Sequence, residues 1–403
     1  MAAPAVAMVP LGPSAAAGTL AFTGSSTEYW AIVAAQQQDA ERYQRTQMAA
    51  AALRRRQRVF TLLYNMLAVG ELVYFIVGLY LIDWQVADLR DNPLLGPGAL
   101  GIVKLGGTHT QRIIERHQYW RLVSSLFHNA GAIHLVSNLG LVWAFGHFLV
   151  RDISPWAVAA TFLCSGLAGV LVSANVGAQY MSAAASIPAF GLAGAACSKL
   201  LLDWRRYAWR PVTLALLGFM LAANAFLGAT PFVDNSGNSG GLVAGAVMGL
   251  GWVLVRKEKT RSRVREALLH LLAAAAMVGV LAAVVVGLVG LQYNAPVAGC
   301  CNPWVCTGSA WWDCDASRIW PSSCAFTTYL NSTATLTCPK GQVVGMGVVN
   351  RTDISSLLIQ QWCDTYCNLA TGISSGGGDS SSSSSSGVSG IGGGLGSSSS
   401  SAS

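Results

Sequence analysis

Long runs of apolar residues are the feature that most limits how this chain can fold. Hydrophobic residues make up 53% of the chain and charged residues only 11%, which is more apolar surface than a water-soluble core can bury. A helix needs about 20 mostly apolar residues to cross the ~30 Å hydrocarbon layer of a bilayer. Seven stretches meet this need, and they predict an all-α polytopic membrane protein. These spans cover approximately residues 59–82, 126–150, 156–176, 182–202, 212–227, 238–255 and 268–291.

Basic residues predict the orientation of the spans, because Lys and Arg in short loops resist translocation. Clusters of them precede the first span and follow the fourth and the sixth, so seven spans place all three clusters on one side, which we expect to be the cytosol. A solvated loop face or a nucleic-acid patch would not explain this recurrence, and we expect no nucleic-acid partner. The clusters are Arg54, Arg55, Arg56 and Arg58; Arg205, Arg206 and Arg210; and Arg256, Lys257, Lys259, Arg261, Arg263 and Arg265.

The segment after the last span is rich in cysteine. Its density is typical of a small domain that is held together by disulfides. A zinc site is the alternative, but paired Cys-x-x-Cys knuckles are missing, and the residues indicate no metal site and no cofactor. Two glycosylation acceptors, Asn331 and Asn350, lie in the same segment and match a lumenal location. The disulfide candidates are Cys300, Cys301, Cys306, Cys314, Cys324, Cys338, Cys363 and Cys367.

These features divide the chain into four regions. Residues 1–53 are expected to be a disordered cytosolic extension, and residues 54–292 a membrane domain of seven transmembrane helices. Residues 293–370 form the Cys-rich lumenal or extracellular domain, and residues 371–403 a Ser/Gly-rich disordered tail. We therefore expect a multi-pass glycoprotein of the secretory pathway, in the ER, Golgi or plasma membrane, with its N-terminus in the cytosol and its C-terminus in the lumen or outside the cell.

Polar side chains at membrane depth are costly, so those that occur are functional candidates. His134 and Asn138 are four residues apart on the second span and project from one helix face. Ser186 opens the fourth span. Glu71 in the first span needs a partner inside the bundle, which the sequence does not identify. On the sixth span, glycines at every fourth residue form a stripe that lets a neighbouring backbone come close, namely Gly237, Gly241, Gly245 and Gly249.

The order of these motifs resembles the rhomboid family of intramembrane serine proteases. Rhomboids have a Trp-Arg pair before the second span, as in Trp120-Arg121, then a His-and-Asn face, a Gly-x-Ser-Gly motif and a Gly-His-x-x-Gly-x-x-x-Gly helix. The loop at 92–97 and the Cys-rich ending resemble plant secretory-pathway members. The resemblance implies a six-helix rhomboid bundle plus a seventh C-terminal helix. It places Ser186 on the nucleophile, His134 and Asn138 on residues that support the oxyanion hole, and Asn238 on the catalytic histidine.

Four departures from the family pattern favour a protein that no longer cuts. Asn238 has no titratable nitrogen to accept a proton near neutral pH. Ala184 replaces a glycine, and Ile187 followed by Pro188 replaces another, which predicts a branched side chain and a ring beside the nucleophile. Asn129 stands where the family has its first histidine, since His128 lies one residue earlier and points about 100° away.

Each of these residues also has a structural explanation. Ser186 is of a type that commonly packs between helices, Asn238 would serve well as a helix cap, and His134 with Asn138 could simply hold the loop after Trp120. Two functions remain open. The first is a catalytically inactive rhomboid-like protein that binds single-span transmembrane clients in the lipid bilayer. The second is an active serine endopeptidase with Ser186 as nucleophile and another histidine as base.

Overall fold

A computed structural model describes most of the chain. The described residues are 26–178, 180–206, 209–256, 263–292, 306–317, 324–328, 333–338, 343–348, 359, 362, 363 and 366. The chain divides into two compact units, Met1–Arg54 and Arg55–Ser403. Residues 26–53, assigned above to a disordered extension, are helical. The reason is local, since this stretch is rich in Ala and Gln, which are good helix formers, and has no Gly or Pro to end the helix.

Ten α-helices are described, and six of them are long and apolar enough to cross a membrane: α1, α5, α6, α8, α9 and α10. The fourth predicted span, 182–202, corresponds to α7, which is apolar but shorter, at 17 residues. The predicted fold class, a helical membrane bundle with a disulfide-bonded C-terminal region, is confirmed. The bounds are α1 Ser26–Leu81, α2 Ala99–Lys104, α3 Thr110–Ile114, α4 Arg121–Ser124, α5 Ala132–Leu149, α6 Pro155–Val176, α7 Ser186–Leu202, α8 Arg210–Leu227, α9 Asn235–Arg256 and α10 Arg263–Gln292.

Helix α7 lies at the centre of the bundle, packed against α5, α6 and α9. Glycines allow its close contact with α9. A Cβ atom on Gly245 would lie 1.9 Å from the carbonyl oxygen of Gly191, and one on Gly194 would lie 2.0 Å from that of Leu242. The predicted glycine stripe on the sixth span is therefore a packing surface, and it fixes the position of α9 against α7.

The connection between α1 and α5 folds back over the bundle. Asn92 is buried, and its side-chain amide donates to the carbonyl oxygens of Pro97 and Ala130 at 2.8 Å each. At the same crossing, a Cβ on Gly96 would lie 1.9 Å from the oxygen of Ala130, and a Cβ on Gly131 would lie 2.1 Å from that of Leu94. These contacts hold the loop at 92–97 against the segment that leads into α5.

The described part of the C-terminal region contains a small antiparallel sheet. Its order is β1-β2-β3, formed by Ala325–Thr328, Thr333–Thr337 and Val343–Val348, with an irregularity between Ala334 and Thr335. Disulfides join Cys306 to Cys314 and Cys324 to Cys363, and Cys338 is disulfide-bonded as well. The disulfide prediction is thus confirmed for these five cysteines. Cys300, Cys301, Cys367, Asn331 and Asn350 lie outside the described residues.

One segment of this region, residues 306–317, is bonded to three loops of the helical bundle, and we call it the strap. Thr307 N donates to the carbonyl oxygen of Ala229, and Asp313 N donates to that of Arg90, at 3.1 and 2.9 Å. The strap in turn accepts a 2.9 Å hydrogen bond from Met181 N at Ser317 O. Trp312 packs edge-on against Phe226 of α8. The strap therefore lies at the end of the bundle that carries the loop before Ser186, and it contacts that loop at Met181.

Candidate functional site

Ser186 and Asn238 are hydrogen-bonded to each other at the meeting of α7 and α9. The Ser186 hydroxyl donates to Oδ1 of Asn238 over 2.9 Å. Both residues are buried, with exposed fractions of 2% and 1%. Ser186 begins α7, and Asn238 lies in the first turn of α9. The structure thus brings together the two residues that the sequence placed on different spans.

Asn238 is not the cap of its helix, in contrast to the structural explanation offered above. The cap is Asp234, whose Oδ1 accepts hydrogen bonds from Ser236 N at 2.7 Å and Gly237 N at 3.4 Å. Its second carboxylate oxygen accepts from the Ser173 hydroxyl. A carboxylate is stabilised at a helix N-terminus by the free N–H groups and the helix dipole. This capping leaves the Asn238 side chain available to Ser186.

The two residues that follow Ser186 pack against neighbouring helices, Ile187 against α6 and α9 and Pro188 against α6. The Ile187 side chain occupies the space beside two glycines, because an added Cβ on Gly169 or Gly237 would lie 2.3 or 2.4 Å from its methyl groups. Pro188 packs near Gly166 of α6. It also lies in the first turn of α7, where its missing N–H removes no helical hydrogen bond. Ile187 and Pro188 therefore stabilise the contacts of α7 with its neighbours, which the sequence alone did not indicate.

His134 and Asn138 are buried on one face of α5, as predicted, and both hold the preceding loop. Nδ1 of His134 accepts a 3.1 Å hydrogen bond from Ala130 N. Nδ2 of Asn138 donates to Oδ1 of Asn129 at 2.8 Å. Since Nδ1 acts as acceptor, a neutral His134 ring carries its proton on Nε2. Within the described chain, neither residue bonds directly to the Ser186–Asn238 pair, and His134 Nε2 is buried without a partner.

Asn129 links two other polar residues by hydrogen bonds that the sequence did not reveal. Its Nδ2 donates to Oε2 of Glu71 at 2.9 Å, while its Oδ1 accepts from Asn138. A polar chain thus runs from Glu71 on α1 through Asn129 to Asn138 on α5. In the sequence, the carboxylate of Glu71 within an apolar span indicated that a polar partner must lie nearby, because a buried charge requires a hydrogen-bonding partner. Asn129 supplies that partner at the position where the family has a histidine.

The loop before Ser186 is fixed by hydrogen bonds from several elements. Ala184 N donates to Ser125 O at 3.0 Å, and Ala185 N donates to His128 O at 3.2 Å. Ala183 N donates to Phe232 O at 2.8 Å, which joins the loops before α7 and α9. Ala184, which the sequence identified as a departure from glycine, is buried in this arrangement. These bonds set the position of Ser186 relative to α9.

Arg121 organises the loops that surround this end of the bundle. Its guanidinium donates to the carbonyl oxygens of Val103 and Gly107 at 2.8 and 2.9 Å and stacks on Trp120. Burial, followed by the charge of Arg112, lowers the pKa of Arg121 to about 10, so it remains charged at neutral pH. Burial is also the main cause that lowers the pKa of His109 to about 3, which keeps that imidazole neutral. Arg121, stacked on Trp120, therefore holds the backbone at Val103 and Gly107 in place.

The chemistry available at the Ser186–Asn238 pair is limited by the amide. Asn238 accepts the hydrogen bond of the hydroxyl, but an amide oxygen cannot take up its proton near neutral pH. Among the described residues, the buried polar atoms without a hydrogen-bond partner include two donors, Asn238 Nδ2 and His134 Nε2, and one acceptor, Asn138 Oδ1. Such groups suit the binding of a polar group, such as a peptide carbonyl, more than the activation of a nucleophile.

Comparison with known proteins finds a rhomboid domain and several rhomboid-like relatives. A family model described as "Rhomboid domain" matches residues 116–257. RHOMBOID-like protein 4 of Arabidopsis thaliana is 28% identical over 68% of this chain and 72% of that protein. Inactive RHOMBOID-like protein 8 of A. thaliana is 31% identical over 39% of this chain and 45% of that protein. Rhomboid-type serine protease 2 of Emericella nidulans is 29% identical over 33% of this chain and 27% of that protein.

The similar proteins thus include one named a serine protease and one named inactive. Activity in this chain has to be judged from its own residues. The matched range contains α5 to α9 and therefore both Ser186 and Asn238. On these grounds the chain is a multi-pass membrane protein with a rhomboid domain at residues 116–257.

Proposed function

We propose that this protein is a catalytically inactive rhomboid, a pseudoprotease that binds transmembrane clients and affects their trafficking or turnover. The hydrogen bond from Ser186 to Asn238 carries this proposal. A serine hydroxyl needs a base to remove its proton as it attacks a peptide carbonyl. Loss of one member of such a catalytic unit leaves a residual rate lower by several powers of ten.

The alternative is an active serine endopeptidase in which another histidine takes the proton. His134 is the residue that favours it, because its Nε2 is buried without a partner. The tautomer argues against this role, since Nδ1 already accepts from Ala130 N and the proton therefore lies on Nε2. A nitrogen that carries a proton can donate a hydrogen bond but cannot act as a base.

Client binding is supported by the loose attachment of α8. Only Leu217 and Asn224 of this helix are buried. A hydrogen bond from the Ser137 hydroxyl to Asn224 Oδ1, at 2.8 Å, links α8 to α5. Polar contacts of this kind contribute about 1 kcal/mol between membrane helices. A single-span client helix could displace α8 from this contact at modest cost and reach the buried donors near Ser186.

We also propose that the Cys-rich region faces the lumen of the secretory pathway or the cell exterior. Disulfides such as Cys306–Cys314 persist in oxidising compartments. The basic loops at the opposite end of the spans favour a cytosolic N-terminus. In this orientation the strap lies over the lumenal end of the bundle, and Asn331 and Asn350 would be accessible to glycosylation.

The proposal is tested by reconstituting the full chain in phosphatidylcholine vesicles with a single-span model substrate. We expect the substrate to co-purify with the protein and to remain uncut on mass spectrometry. Cleavage that disappears in Ser186→Ala would overturn the pseudoprotease assignment and favour the endopeptidase. Substrate that neither co-purifies nor is cut would contradict the client-binding part. A soluble helical peptide of the same length is the control for nonspecific binding.

A further inference from the structure

An apolar groove unrelated to Ser186 lies between α1, α5, α6 and α7. Its volume is about 190 Å³. Val142 of α5, Phe162 of α6 and Leu192 of α7 line it, and along α1 it extends from Phe60 to Leu67. Seven residues of helix correspond to about 10 Å. The groove opens to the outside of the bundle beside Leu163, which is exposed.

The lining of the groove determines what can fill it. Its side chains are apolar apart from the hydroxyl of Tyr64. An apolar cavity of about 150 Å³ stays dry and takes up hydrocarbon instead, because water needs polar partners. The surrounding solvent of these helices is the acyl region of a bilayer. An acyl chain is therefore the occupant that matches the groove in chemistry and in location.

One end of the groove meets a group of basic side chains. Pro155 lines the groove there, three residues after Asp152. Arg56, one turn before Phe60, donates to the carbonyl oxygen of Asp152 at 3.3 Å. The Asp152 carboxylate is 2.7 Å from the ammonium group of Lys199 and 3.8 Å from the guanidinium of Arg206.

The net charge of the named side chains at this end of the groove is positive. Lys199 and Arg206 contact the carboxylates of Asp152 and Asp203, with Asp203 3.7 Å from Arg206. Arg56 contacts the backbone carbonyl oxygen of Asp152 rather than its carboxylate, so these three basic residues are accompanied by two carboxylates. The side chain of Arg206 remains 66% exposed. Since Arg56 is exposed as well, both guanidiniums can reach a group at the membrane surface.

Headgroup charge must decide which lipid is retained. Moving an acyl chain from the bilayer into an apolar groove gains little, because both surroundings are equally apolar. A basic side chain near the membrane surface, in contrast, favours an anionic headgroup about fivefold. We propose that this groove is a binding site for one anionic phospholipid, with an acyl chain between α1 and α6 and the phosphate beside Arg56 and Arg206. This site does not depend on whether Ser186 is active.

A photocrosslinking experiment tests the site. The full chain is reconstituted in phosphatidylcholine vesicles that contain a minor fraction of phosphatidylserine or of phosphatidylcholine with a diazirine on one acyl chain. Crosslinked peptides are then quantified by mass spectrometry. We expect peptides that contain residues 60–67 and 158–163 to be labelled about fivefold more by phosphatidylserine.

Variants separate the two parts of the site. Arg56→Gln with Arg206→Gln should remove the preference for phosphatidylserine, whereas Arg90→Gln, beyond the other end of the first span, should keep it. Ala159→Phe narrows the groove and should reduce labelling by both lipids. Equal labelling by the two lipids in the unaltered protein would overturn the proposal. Absence of label from these peptides would overturn it as well and would favour occupation by a client side chain.

Discussion

The Asn238 side chain contacts Ser186 through a group that accepts a hydrogen bond but cannot take up a proton near neutral pH. Its Oδ1 accepts from the Ser186 hydroxyl at 2.9 Å, and its Nδ2 is buried without a partner. The sequence predicted that these positions meet, because the resemblance placed them on spans that pack together. It did not predict that Asp234 would cap α9. That role depends on where the loop before α9 turns toward Ser173, which is a tertiary contact.

At the same scale, the Glu71–Asn129 hydrogen bond should matter for stability. Glu71→Ala leaves the buried Asn129 amide without its acceptor, so we expect the free energy of unfolding to fall by about 1–2 kcal/mol. Glu71→Gln retains an oxygen that can accept from Asn129 and should cost less. Thermal unfolding of the detergent-solubilised protein measures both changes. Equal stability of the two variants and the unaltered protein would show that the chain from Glu71 to Asn138 is not stabilising.

At the scale of elements, the fit of α9 against α7 depends on glycine. Gly245→Ala would place a methyl group 1.9 Å from the carbonyl oxygen of Gly191, so the helices must move apart. We expect a loss of about 1–3 kcal/mol in the free energy of unfolding. Gly279→Ala on α10 is the matched control, since nothing lies within 4 Å of that Cβ. If both substitutions had the same effect on the unfolding temperature, close packing at Gly245 would not be needed.

The strap is a second element whose contribution can be measured. Breaking Cys306–Cys314 in the Cys306→Ser/Cys314→Ser variant should loosen the segment that accepts from Met181 and donates to Ala229. We expect faster amide hydrogen exchange in peptides covering 181–185 and 306–317. Cys164→Ser with Cys197→Ser is the control, because these two cysteines are free. Unchanged exchange at 181–185 would mean that the strap does not hold the loop before Ser186.

Across the whole molecule, the order of the apolar helices followed from the sequence, because long apolar runs have few alternatives to crossing a bilayer. Of the seven predicted spans, six are long enough to cross a membrane and α7 is shorter. Span ends were less predictable. The second span was predicted from residue 126, whereas α5 begins at Ala132, because residues 128–131 are held by the loop at 92–97. The helical stretch at 26–53 was assigned to a disordered extension, although its Ala and Gln residues are good helix formers.

The site as a whole was predictable in its positions but not in its contacts. Ser186, Asn238, His134 and Asn138 were all identified from motifs. The packing of Ile187 into the space beside Gly169 and Gly237 required the structure, since glycines distant in sequence create that space. The same is true of the polar chain from Glu71 to Asn138.

The central claim is that Ser186 is an unactivated hydroxyl because residue 238 is an amide. Labelling of the detergent-purified full chain with a serine-reactive fluorophosphonate probe tests it most directly, with Ser186→Ala and Asn238→His alongside. We expect the unaltered protein to remain unlabelled, like Ser186→Ala. Asn238→His should become labelled, because the hydroxyl already points at position 238. Labelling of the unaltered protein that disappears in Ser186→Ala would contradict the claim.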